Sequence, residues 1–301
     1  MAANLTPRGR PRARICIAAA LAVASLWTST VQAHEFWLLP DRFAPPPGER
    51  VQLSLAVGEQ FVGDPVGFGK PVVSSLRLFN TGGERDLTQA LPAAADQRSI
   101  PVSFAQTGGQ LVVVNTHPYT VDLPGEKFNA YLREEGLETV LAQREAAGQL
   151  DQPGRERYRR HVKTLLQVGG RTDATWSTRT GQTLDLRPLA DPFTTPPGAP
   201  LALQVDYQGV PLAQALVKAW HQNGSQLTIA RGRTNAQGQL SLQLPWAGVW
   251  MVSVVHMVPS TGTPGIDWDS HWGNLTFELS APSTPSNAPP TPPASRLGSP
   301  R

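Results

Sequence analysis

Cysteine is almost missing from this chain, and the absence narrows its chemistry. The single cysteine, Cys16, lies in a segment built like a secretory signal. Arg8, Arg10, Arg12 and Arg14 give the positive start, Ile15 to Trp27 the apolar run, and Thr28 to Ala33 a polar end with Val31 and Ala33 at the −3 and −1 positions. Cutting after Ala33 removes the only thiol. The remaining chain then has no disulfide, no thiolate ligand and no cysteine nucleophile. Any metal site must use nitrogen, oxygen or thioether sulfur, which excludes a zinc–thiolate centre.

Three other absences matter. No later segment is long and apolar enough to span a membrane, and the Ile15–Trp27 run is too short. The full chain has 26 basic and 23 acidic residues, and the signal removes four arginines and no acids, leaving −1. The high isoelectric point therefore belongs to the signal and gives no support for nucleic-acid binding. Finally, Gly-x-Ser-x-Gly, His-Glu-x-x-His and phosphate-cradling glycine loops do not occur. Glu134 and Glu135 read as solvated helix residues. No catalytic residues are assigned.

What is abundant is proline, 29 residues, and glycine, 27, between short alternating runs. This pattern predicts a mainly β protein of two β-sandwich domains with a short helical insertion. Residues 34–125 form the first domain. Val51, Leu53, Leu55 and Val57 alternate as in a half-buried strand, and Leu111 to Val114 is a strand buried on both faces. Residues 126–168 read as helical. Phe128, Tyr131, Leu132, Leu137, Val140 and Leu141 mark one helix pattern, and Tyr158, Val162, Leu165 and Leu166 a second. Arg155, Arg157, Arg159 and Arg160 would be a solvated face at its start. Residues 169–200 connect, ending in a Pro-rich linker, and 201–280 form the second sandwich. Residues 281–301 hold seven prolines and read as a disordered tail.

Three blocks carry a resemblance: AHEFWLLPDRF at the mature start, EKFNAYLREEGLETVLAQRE with RERYRRHVKTLLQVG in the middle, and GVWMVSVVHM with DWDSHWGNLTFEL at the end. Together they resemble an uncharacterised bacterial periplasmic family described as the periplasmic component of cobalt or nickel uptake. The stretch around GVPLAQALVKAW and TNAQGQLSLQLPWAGVWMVSV is similar to transthyretin-like and carboxypeptidase-regulatory-like sandwiches. The resemblance implies a periplasmic, non-enzymatic protein that handles a transition-metal ion for a membrane transporter or receptor.

Histidine is rare, 6 residues in 301, and His34 directly follows the cleavage site. A free α-amine and the ring Nδ1 of one residue can chelate one ion, and the amine gives up its proton near neutral pH. Such nitrogens suit copper, nickel and cobalt. His34 is therefore the primary metal candidate, and the alternative is an ordinary first strand residue. A second ligand could come from three places. His256 shares a strand face with Trp250, Val252 and Val254, and is either a ligand or a core histidine. His271, with Asp267 and Asp269, stands in a loop. His117 follows the buried strand and is either a ligand or an exposed loop residue. His161 on the second helix and His221 in a hairpin read as surface residues. Met251 and Met257 read as packing.

The expectation is a periplasmic metal-binding protein that uses His34. The alternatives are a β-sandwich interaction module of a membrane uptake complex with a structural His34, and a copper oxygenase with a histidine brace.

Overall fold

The structure, a computed structural model, describes residues 34–224 and 226–280. The signal expected over 1–33 and the Pro-rich tail expected over 281–301 lie outside the described residues.

The first stretch runs β1 (Glu35–Pro40), β2 (Arg50–Glu59), β3 (Val62–Val66), β4 (Val73–Asn80), β5 (Gly83–Asp86), β6 (Ser99–Ser103), β7 (Gly108–Thr116) and β8 (Tyr119–Leu123). Two helices follow, α1 (Gly125–Glu134) and α2 (Glu138–Ala146), then the long β9 (Gly154–Val168). The remainder is β10 (Leu184–Pro188), β11 (Pro200–Tyr207), β12 (Val210–Pro211), β13 (Leu216–Asn223), β14 (Gln226–Arg233), β15 (Gln239–Gln243), β16 (Gly248–Pro259) and β17 (Trp268–Leu279).

The fold is mainly β and sandwich-like, as the alternation predicts. A nine-stranded sheet runs β14-β13-β16-β17-β9-β7-β4-β5, with β8 beside β9. It takes strands from both predicted sandwich regions, so the two sandwiches share a central layer. One face is covered by a smaller sheet of β10, β11, β12 and β15. Leu184, Leu186, Leu203 and Val205 from that sheet pack on Leu165, Val252, Val254, Leu275 and Phe277. The other face is covered by β1, β2, β3 and β6, whose Phe36, Leu38, Leu53 and Leu55 meet Val112, Val114, Val162 and Leu166. The helices cover the rest of that face. Phe128, Tyr131, Leu132, Leu137 and Val140 sit on Val255, Met257, Trp268 and Trp272. Each such side chain contributes about 1.5–3 kcal/mol when fully buried.

Three expectations need correction. Residues 154–168 are a strand, not a helix: β9 pairs with β17 on one edge and with β7 and β8 on the other. Tyr158, Val162, Leu165 and Leu166 fit helical spacing, but a central strand is apolar on both faces and loses its alternation. Val162, Leu166 and Val168 face one core and Leu165 the other. Second, the connecting segment 169–200 contains β10, buried along its whole length. Third, the segment Asp267 to Trp272 is not a surface loop, because β17 already begins at Trp268.

The arginines at the start of β9 lie on a strand, and though Arg155 stays exposed, they are paired rather than free. Arg155 grips Asp267, with Nη2 2.7 Å from Oδ1, and Arg157 grips Asp269 from Nε at 2.6 Å. Arg160 points to the opposite face, as alternation along a strand requires.

Candidate functional site

His34 precedes β1, an edge strand that lies across the central sheet. Edge strands leave one row of backbone groups unpaired. Here side chains from the layer beneath cap alternate carbonyls. Asn274 Nδ2 donates to the Phe36 oxygen, Thr276 Oγ1 donates to the Leu38 oxygen at 2.6 Å, and Arg160 Nη1 donates to the His34 oxygen at 2.9 Å. The Arg160 guanidinium lies 5.2 Å from the ring centres of Phe36, Tyr158 and Trp272. The backbone of His34 is therefore anchored, while its ring is exposed.

The ring faces the β2–β3 hairpin. His34 Nε2 is 3.6 Å from Glu59 Oε1. A cleft of about 480 Å³ is lined by His34, Glu59, Gly63 and Asp64. The hairpin turns through Gln60 and Phe61, both at positive φ (54° and 62°). This is the turn conformation that Asn-Gly ordinarily fills, and it is costly for these residues. Phe61 packs edge-on against Trp37, with ring centres 5.4 Å apart. Gly63 admits Trp37 to the hairpin: a Cβ there would lie 2.7 Å from the indole.

Beside this cleft lies a buried charge cluster. Glu35 is buried, and its Oε1 accepts from Ser253 Oγ at 2.8 Å. Lys218 Nζ is 3.8 Å from the same oxygen and 2.7 Å from Glu135 Oε2. Burial pushes Glu135 up to about 7, although the Lys218 charge opposes the shift. Burial also works against the Lys218 charge, but Glu135 and Glu35 outweigh it and raise its pKa. Glu135 is thus buried at the end of α1, contrary to its solvated reading. Glu35, Glu59, Glu135, Lys218 and Trp220 line a cleft of about 240 Å³.

The expected second ligands lie elsewhere. His256 and His271 face each other across the β16–β17 pair. Their face is the one beneath β10 and β11, opposite the face where Arg160 meets His34. Tyr207 packs edge-on against both rings, 4.4 Å from His256 and 5.4 Å from His271. His271 Nδ1 is 3.0 Å from Nε2 of His161, which is buried on β9 rather than exposed on a helix. His161 Nδ1 is 2.8 Å from Asn115 Oδ1. Burial, helped by His271 and Lys163, pushes His161 down to about 3. Burial and then the Arg159 charge push His271 down to about 4, and burial lowers His256.

His117 is exposed, with Nε2 3.1 Å from the Lys70 carbonyl. His221 is buried, contrary to its surface reading, with Nε2 2.9 Å from the Ala247 oxygen. Asp267 and Asp269 are held by arginines and do not join His271. Met251 and Met257 are core residues. Among the described residues, no three His, Asp or Glu side chains converge as a metal-ligating group, and His256 and His271 lie across the central sheet from His34. Glu59 and His161 are the residues that sequence reasoning missed. Glu59 ends an alternating strand in Gly58-Glu59-Gln60, and His161 carried a strand signal only through Val162, Thr164 and Val168.

No curated protein matches this chain. Among solved structures, the tetra-tandem repeat in the extending region of a large adhesion protein is 11% identical, with 83% of this chain and 50% of that one covered and a TM-score of 0.22. Trypsin-activated alpha-2-macroglobulin from Escherichia coli is 10% identical, with 83% and 16% covered and a TM-score of 0.19. A carbohydrate-binding module of the β-sandwich superfamily is 10% identical, with 83% and 93% covered and a TM-score of 0.20. The chain thus spans about half the length of the first and a sixth of the second. TM-scores this low carry no argument about function. A family profile matches residues 31–258, most of the sequence, and the chain belongs to that family, described as Domain of unknown function (DUF4198).

Proposed function

We propose that this chain is exported to the periplasm, cut after Ala33, and carries a late transition-metal ion on His34. The α-amine and Nδ1 of His34 would be the two ligating nitrogens, with the ion as cargo rather than catalyst. The observation that carries the reading is the position of Glu59, 3.6 Å from Nε2 of an exposed ring whose backbone is fixed by Arg160. A ligating histidine ordinarily gives its second ring nitrogen to a carboxylate or carbonyl, which orients the ring and leaves the other nitrogen for the metal. Glu59 supports that arrangement. The donor set fits copper, nickel or cobalt, and copper binds tightest by intrinsic order.

With no second histidine at hand, the ion keeps open positions. Open positions suit loading and release, and so suit delivery to a membrane transporter or receptor. They fit a brace-type oxygenase less well. Among the described residues no helix is long and apolar enough to cross a membrane.

The test is Ni(II) titration of secreted protein that mass spectrometry shows to begin at His34, against the same protein acetylated at its N-terminus. The expected result is a site in the free-amine protein that acetylation removes. Glu59→Gln should weaken that site about 10–100-fold, the usual effect of removing an orienting partner. Equal binding with a blocked amine overturns the reading.

A further inference from the structure

On the other face of the central sheet, the hydrogen bonds fix every proton in a row of polar side chains. The row starts at a backbone carbonyl. The Val114 oxygen can only accept, so the Gln182 amide atom 3.2 Å away is the Nε2 donor. That Nε2 also donates to Asn115 Oδ1 at 2.9 Å, while Asn115 Nδ2 donates to Ser75 Oγ at 3.0 Å. Asn115 Oδ1 is thus an acceptor, and His161 Nδ1, 2.8 Å from it, carries the ring proton. A neutral imidazole has one N–H. His161 Nε2 is therefore an acceptor, and His271 Nδ1, 3.0 Å away, must be the donor. The remaining nitrogen, His271 Nε2, keeps a free lone pair.

His256 stands directly across the antiparallel pair from His271. Directly opposed side chains have Cβ atoms about 4.5–5.5 Å apart, close enough for two imidazoles to share one ion. Among the described residues no hydrogen bond engages His256, whose described contact is the Tyr207 ring. His256 is half-buried and so reachable from solvent.

We propose that His271 Nε2 and His256 form a second transition-metal site, in which the Gln182–Asn115–His161 relay orients the first ligand. The site is separate from His34 and does not rest on the reading of that residue. Neutral imidazoles and no carboxylate select a late first-row ion such as copper, nickel or zinc over magnesium or calcium. Asp269 is bound by Arg157 and lies 3.6 Å from Arg159, so it is not available as a ligand. The remaining positions belong to water or to whatever ligand accompanies the ion.

The test uses the exported chain with His34→Ala, labelled with nitrogen-15, and Zn(II) alone as probe. Before metal is added, long-range imidazole spectra should show His271 and His161 both protonated at Nδ1. Zn(II) should then move the His271 and His256 signals together and leave His221 unchanged. His256→Gln, placed on the same background, should weaken Zn(II) binding at least about tenfold, as for loss of even an orienting partner. A His271 ring protonated at Nε2 overturns the relay and the proposal. So does a His34→Ala protein that takes up no Zn(II), a result that leaves the His34 reading intact. Metal binding at His271 and His256 alone, with none at His34 in the unmutated chain, supports this site and overturns the other.

Discussion

Lys163 is a charged residue at the middle of a core strand, and its ammonium is held by Asp185 of β10. Both side chains are buried, and Asp185 also accepts from the Thr180 backbone N–H at 2.9 Å. Burial alone would raise the Asp185 pKa, but the Lys163 charge and these hydrogen bonds outweigh it and lower the pKa below the usual carboxylate value. Removing one partner leaves a buried charge unpaired. Asp185→Ala should therefore cost about 3–5 kcal/mol in urea unfolding, whereas a surface pair would cost below about 1. The buried histidines set a second residue-scale expectation. A histidine whose folded pKa is lowered is protonated more readily in the unfolded chain, so stability is lost as pH falls. For His271 and His161 the loss runs from the ordinary 6.5 down to about 4 and about 3. Glu135, raised to about 7 by burial, acts the other way: its contribution is present at low pH and lost as pH rises through about 7. Burial also raises Glu156 and lowers His256, and the three lowered histidines outweigh the two raised glutamates. The urea midpoint should fall between pH 6.5 and 4.5, and a midpoint that rises there would contradict the neutral row.

At the scale of the element, β9 explains most of what the sequence did and did not disclose. Its 15 residues pair on both edges and pack on both faces. Leu165 faces one core and Leu166 the other, both fully buried. Leu165→Ala should cost about 2–5 kcal/mol by urea unfolding, the range for a core leucine. A cost under about 1 would mean that β9 is peripheral. The same two-sided burial erased the period-2 signal and left spacings that match a helix. β7 was legible because Leu111 to Val114 is a short run after two glycines, too short for a helix. β2 and β11 were legible because one face is more polar than the other, and β16 because Trp250 to Val258 is a short apolar run rich in valine. The histidine row was not legible. Residues 115, 161 and 271 meet only through strand register, and register across 46 and 110 positions leaves no local trace. His34 stands out in the sequence as a candidate because its signal is local: a cleavage pattern and the residue after it.

For the whole molecule, the central sheet separates two chemistries. On one face, an exposed His34 is presented at an anchored strand start next to a hairpin carboxylate. On the other, neutral histidines line up beneath a small sheet. On the proposed reading, the two places would hold ions in two environments, one open and one sheltered. The measurement that tests this most directly is a calorimetric titration of Ni(II) and Cu(II) into exported protein verified to begin at His34, with His34→Ala alongside. The expected result is a tight site that the variant loses, with a second uptake that survives in it. Identical titration curves for the two proteins would contradict the assignment of His34 as a chelator.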